Sequence, residues 1–149
     1  MRLVNLKPPL IAGLLLALSV GLHFVLPQAS RRQFACLWCG VTAIAIGCGV
    51  LIWAWWLFRR SGTPTRPTHQ ATALVTSGPF RVPRNPMYLA IVVMLLGLAV
   101  WVGSLPMLIA PIGFFAFMSL VFIPHEERRL RETFGEAYLS FTRRVRRWI

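Results

Sequence analysis

Residues 87–123 read MYLAIVVMLLGLAVWVGSLPMLIAPIGFFAFMSLVFI, with no Asp, Glu, Lys or Arg. A membrane-crossing helix needs about 20 apolar residues, so this stretch predicts two crossings. Gly103 and Ser104 are the break between them, short enough to force a tight antiparallel hairpin of helices over 87–103 and 105–123. Pro106 and Pro111 fall in the first turns of the second helix, where a missing N–H is tolerated best. Two further uncharged runs, 10–26 and 34–58, also have crossing length. The expected fold is an all-α integral membrane protein with four transmembrane helices and an amphipathic cytoplasmic helix at the C-terminus.

Composition agrees. Of 149 residues, 56% are apolar and 13% charged, against about 25% charged in soluble domains. Mean hydropathy is +0.64. The length predicts one domain over 1–149, with no separate soluble module. Fifteen Arg, one Lys and four Glu give a net charge of +12, and Asp is absent from the sequence. The carboxylates Glu126, Glu127, Glu132 and Glu136 are confined to one short segment, which excludes Asp-assisted triads, Asp-rich cation sites and most two-carboxylate hydrolases.

A basic chain invites a nucleic-acid reading, but these arginines flank uncharged runs, as in the positive-inside pattern. With the N-terminus inside, fourteen basic residues are cytoplasmic, including seven Arg between Arg128 and Arg147, and Arg31 and Arg32 are outside. Both termini are therefore expected in the cytoplasm, at a bacterial inner membrane. Trp53, Trp55 and Trp56, just before Arg59, suit the headgroup boundary. Arg2 and Lys7 precede an apolar run as in a signal peptide, but that run is long for one and Pro27-Gln28-Ala29-Ser30 is a poor cleavage site, so it is expected to remain. Cys36-x-x-Cys39 resembles half a metal site. With Gly40, Ala43, Gly47 and Gly49 it reads instead as a helix-packing face that requires no disulfide.

Two cytoplasmic pieces remain. The loop 59–86 has Pro and Gly too often for a helix, and it can present backbone N–H and C=O groups to a ligand. The tail 124–149 starts at Pro124, with Glu126 and Glu127 in a first helical turn where the dipole favours anions. Leu130, Phe134, Ala137, Phe141, Val145 and Trp148 form an apolar stripe with Arg opposite, and Gly135 is a candidate bend. Either Glu126 and Glu127 are a solvated helix start, or one of them binds a cationic ligand beside the loop.

Four motifs in order carry a resemblance: Leu74-Val75-Thr76-Ser77-Gly78-Pro79-Phe80-Arg81, Arg84-Asn85-Pro86-Met87-Tyr88, Glu126-Glu127-x-x-Leu130 and Phe134-Gly135-Glu136-x-Tyr138. Together they resemble the isoprenylcysteine carboxyl methyltransferase family, to which the phospholipid N-methyltransferases are related. The resemblance covers roughly residues 62–149. It implies a membrane enzyme that uses S-adenosyl-L-methionine at the cytoplasmic surface without a Rossmann domain. Carried over by position, cofactor contacts would come from Thr72, Ala73, Leu74, Val75, Phe80, Asn85, Pro86, Met87, Tyr88 and Glu126, with Glu126 pairing a cofactor cation. Arg84 and Glu127 would be the catalytic candidates, His125 is a weaker one, and no metal is implied. The expected acceptor is a lipophilic or lipid-anchored carboxylate, amine or thiol.

Two positions depart from the family. Asn85 stands where the family has His, so that position cannot titrate. Phe122 stands where the carboxyl methyltransferases hold a substrate carboxylate with Arg. Two other readings compete: an NAD(P)H-dependent membrane reductase, which shares a similar Arg-His-Pro stretch, and a non-catalytic membrane subunit.

Overall fold

The computed structural model describes residues 7–26, 34–60 and 74–149. Its elements are α1 (Pro8–Val25), α2 (Leu37–Arg60), α3 (Pro86–Val102), α4 (Ile109–Phe117) and α5 (Ile123–Arg144). Short 3-10 turns lie at Gly78–Arg81 and Leu105–Leu108, and a π turn at Met118–Phe122 joins α4 to α5. Three helical runs are long and apolar enough to cross a membrane: Pro8–Val25, Leu37–Arg60 and the continuous Leu105–Arg144. Pro86–Val102 is a shorter apolar helix. The fold is thus all-α and membrane-integral, with three to four long apolar helices. Leu14, Leu18, Phe24, Trp38, Ile52 and Leu120 lie on its outer surface, as lipid contact requires.

α2 and α3 pack along their lengths through small residues. A Cβ on Gly40 would lie 2.6 Å from both the Gly97 carbonyl oxygen and Trp101 Cβ, and one on Gly47 would lie 2.9 Å from the Ala90 oxygen. Only glycine permits this approach, which replaces hydrophobic driving force inside a bilayer. The expected packing face therefore holds at Gly40 and Gly47, while Gly49 faces open space. The Cys36 N–H donates to the Val100 carbonyl at 3.1 Å. Gly103, at φ +71, closes the α3–α4 hairpin with its N–H on the Ala99 oxygen. The core beside this hairpin comprises Ile11, Leu95, Ala110, Phe114, Met118, Phe122 and Ile123.

Three local expectations are corrected. Cys36 and Cys39 are paired as a disulfide at the start of α2, where only a packing face was expected. Pro124 does not open a separate tail helix. Proline has no N–H for the carbonyl one turn back, and the π turn just before it carries the helix past this defect without a break. The tail helix also stops at Arg144: Val145 is extended (φ −123°, ψ 128°), so Val145 and Trp148 leave the apolar stripe.

Candidate functional site

Three remote segments meet at one end of the helices: the loop leading into α3, the start of α5 and the last residues of the chain. Asn85 precedes α3 and Pro86 occupies its first turn, where the ring fits and no N–H is needed. This places Tyr88 on the first turn of α3, as Glu126 and Glu127 are placed on the first turns of α5.

Glu127 is buried, with 7% of its surface exposed. A buried carboxylate is tolerated only when paired. Arg147 grips it with two prongs, Nη2 to Oε2 at 2.7 Å and Nε to Oε1 at 3.1 Å. Arg84 Nη1 lies 3.1 Å from the same Oε1, and it also donates to the Tyr138 hydroxyl at 3.3 Å. Burial, with the nearby Glu127 charge, raises the Tyr138 pKa and keeps that hydroxyl protonated. Glu127 is therefore spent on two guanidiniums. Arg84 Nε is buried with no hydrogen-bond partner among the described residues.

Glu126 is half-buried and differently placed. The Tyr88 hydroxyl donates to its Oε1 at 2.9 Å. Burial pushes the Glu126 carboxyl from 4.5 up to about 7, against the Tyr88 hydrogen bond and the Arg129 charge, and the Glu127 charge adds to the rise. The Tyr88 ring meets Phe122 edge-on at 6.0 Å. The arrangement offers a carboxylate beside aromatic faces, which suits an organic cation.

The chain end completes the cluster. α5 kinks at Gly135 (φ 50°, ψ −125°), a conformation that residues with a Cβ rarely adopt. After Arg144 the chain runs back along the loop. Arg146 bridges Pro83 in parallel fashion, the Arg84 N–H donates to the Arg146 carbonyl at 2.9 Å, and Asn85 Nδ2 donates to the Arg147 carbonyl at 3.3 Å. Trp148 Nε1 donates to Ser119 Oγ at 3.1 Å, and its ring lies 4.6 Å from that of Phe115.

Of the residues expected at the site, Arg84, Asn85, Tyr88, Glu126 and Glu127 are joined in this network. Pro86 is buried and Met87 half-buried beside them in sequence. Phe80 is buried and packs on Phe58 of α2, 5.2 Å between ring centroids. Leu74 and Val75 are half-buried ahead of the 3-10 turn, and Thr72 and Ala73 lie outside the described residues. Arg147 and Tyr138 carry polar contacts that the sequence did not assign. The sequence carried no signal for Arg147, which fell among the arginines opposite an apolar stripe that continues to Trp148.

Residues 35–137, well over half of the chain, match the family model described as "Phospholipid methyltransferase". A 79-residue stretch is 35% identical to the Protein-S-isoprenylcysteine O-methyltransferase B of Arabidopsis thaliana. That match covers 48% of this chain and 36% of the plant protein, so it spans about a third of the relative's length. No solved structure matches the chain.

Proposed function

The chain belongs to the phospholipid methyltransferase family, and on that premise we propose that it is a membrane-embedded methyltransferase that uses S-adenosyl-L-methionine and acts on a lipophilic or lipid-anchored acceptor. In this reading residues 1–149 form one domain, four helices cross the membrane, and both termini and the site lie on the cytoplasmic side. The observation that carries it is the Tyr88–Glu126 hydrogen bond, which joins the loop-and-hairpin motif to the Glu-Glu motif across 38 residues of sequence.

The residues present suit that cofactor. Glu126 is half-buried, among the described residues its carboxylate has no two-pronged guanidinium grip like that on Glu127, and it would hold a cofactor cation. Tyr88 and Met87 would supply apolar walls, and the backbone at Leu74 and Val75 would meet adenine edges. When bound, the cofactor supplies a methyl group already activated by its sulfonium. The chain's part is then to position the acceptor and exclude water, which can account for much of a displacement reaction. Arg84 and Glu127 support this as an ion pair that fixes the loop on α5. Proton acceptance by Glu127 would first require its release from Arg147.

The test is calorimetric titration of the detergent-purified protein with S-adenosylmethionine, S-adenosylhomocysteine and NADPH. Saturable binding of the first two alone is expected. Binding of NADPH instead would favour the reductase, and binding of none would favour a non-catalytic subunit. Reporter fusions at Arg66 and Ile149 should both report the cytoplasm.

A further inference from the structure

Two adjacent glutamates on one helix have the same chemistry, yet a cofactor cation needs one of them to be available. Among the described residues, Glu127 accepts two hydrogen bonds from Arg147 and forms an ion pair with Arg84, while Glu126 accepts one hydrogen bond from a phenol. Arg84, Arg147 and Glu127 together carry one net positive charge, so the buried pairing leaves no excess negative charge on its side of the helix. Arg84 alone would satisfy one oxygen of Glu127, and Arg147 alone reaches the other, Oε2. Arg147 also belongs to the short segment whose backbone carbonyls hold the loop, through Arg84 N–H and Asn85 Nδ2.

We infer that Arg147 is the positioning residue of this site. Its two-pronged hold on Glu127 fastens the chain end and the loop 82–85 onto α5, and it leaves Glu126 as the carboxylate that meets a ligand cation. The identity of that cation rests on the methyltransferase reading, but the fastening does not. A planar fork matches a carboxylate in a way that an ammonium cannot, which is why an arginine is needed at this position. The consequence extends to Glu126. It is faced by Tyr88 from α3 and by Arg129 and Glu127 from α5, with Arg84 reaching it only through Glu127. Without Arg147, the Glu127 charge beside Glu126 is less offset, and Glu126 holds its proton to higher pH.

The experiment compares the full chain with Arg147→Ala and Arg147→Lys, in detergent, by three readouts. The first needs no ligand: amide exchange at Arg84, whose N–H is bonded to the Arg146 carbonyl. It should speed up about 10-fold or more in Arg147→Ala, as expected for loss of a local opening barrier. The second is affinity for S-adenosylhomocysteine, expected to fall roughly 10- to 100-fold in Arg147→Ala and to recover part of the way in Arg147→Lys. The third is the pH at which binding reaches half its maximum strength, which should move upward in Arg147→Ala. Unchanged exchange at Arg84 would overturn the inference, as would unchanged affinity. An affinity loss with no Lys recovery and no shift of the pH midpoint would also overturn it, because that is the behaviour of a merely structural residue. If exchange speeds up as expected while the wild type binds no cofactor, the cofactor reading fails and the fastening role stands.

Discussion

The α2–α3 seam and the cluster around Glu127 are held together by opposite means. The seam has no charged side chain and depends on missing atoms: glycines at 40 and 47 let backbones touch. The cluster depends on added charge, with one buried carboxylate between two guanidiniums drawn from positions 63 residues apart. A seam of the first kind tolerates little extra volume. A cluster of the second kind tolerates little loss of a partner. The contrast teaches which substitution damages which region.

The largest effect should come from Glu127→Ala, which strands two guanidiniums. Breaking a buried pair costs about 3–5 kcal/mol, and the partial exposure of Arg147 places this one at about 3. Detergent-based unfolding should register the loss. Gly40→Leu tests the other region. Its new atoms would meet backbone at Gly97 and Trp101, which cannot swing aside, so a cost of up to about 3 kcal/mol is expected, with α2 separating from α3 in cross-linking assays. Glu126→Gln keeps shape and removes charge. Cofactor affinity should fall roughly 10- to 100-fold with no loss of unfolding stability, the signature of a ligand-facing rather than a structural carboxylate. Equal affinity in the two proteins would remove Glu126 from the site.

The pH dependence follows from the same residue. Folded Glu126 holds its proton up to about pH 7, whereas an ordinary carboxyl loses it near 4.5. The folded state therefore binds the extra proton, and its contribution to stability is present below pH 4.5 and is lost as pH rises to 7. Cation binding runs the other way. It should strengthen by up to about tenfold per pH unit below 7 and level off above, as isothermal titration across pH 5.5–8.5 would show. The smallest effect belongs to Glu132→Gln. Glu132 is exposed on α5, and both affinity and unfolding should match the wild type within error.

The sequence makes these regions legible to different degrees. Uncharged runs and glycine spacing mark the helices and the seam, because inside a bilayer composition and size decide contacts. Gly135 is legible as a bend because few other residues accept its backbone angles. The grip of Arg147 on Glu127 is not legible. It depends on the chain leaving the helix at Val145 to pair with Pro83, a choice made by tertiary hydrogen bonds against a stripe that continues to Trp148 in helical register. The pairing of Cys36 with Cys39 is likewise a matter of where two side chains stand, which the spacing permitted but did not require.

The π turn at Met118–Phe122 sets the phase of everything after it. An α-helix turns about 100° per residue, and a π turn fits one residue more into a turn than an α turn does. Were the same residues wound as regular α-helix, α5 would be rotated by about 100° about its axis. Glu127 would then turn away from Arg84, and Glu126 away from Tyr88. The azimuth of the polar site is thus written inside the apolar helix, several residues before the first carboxylate.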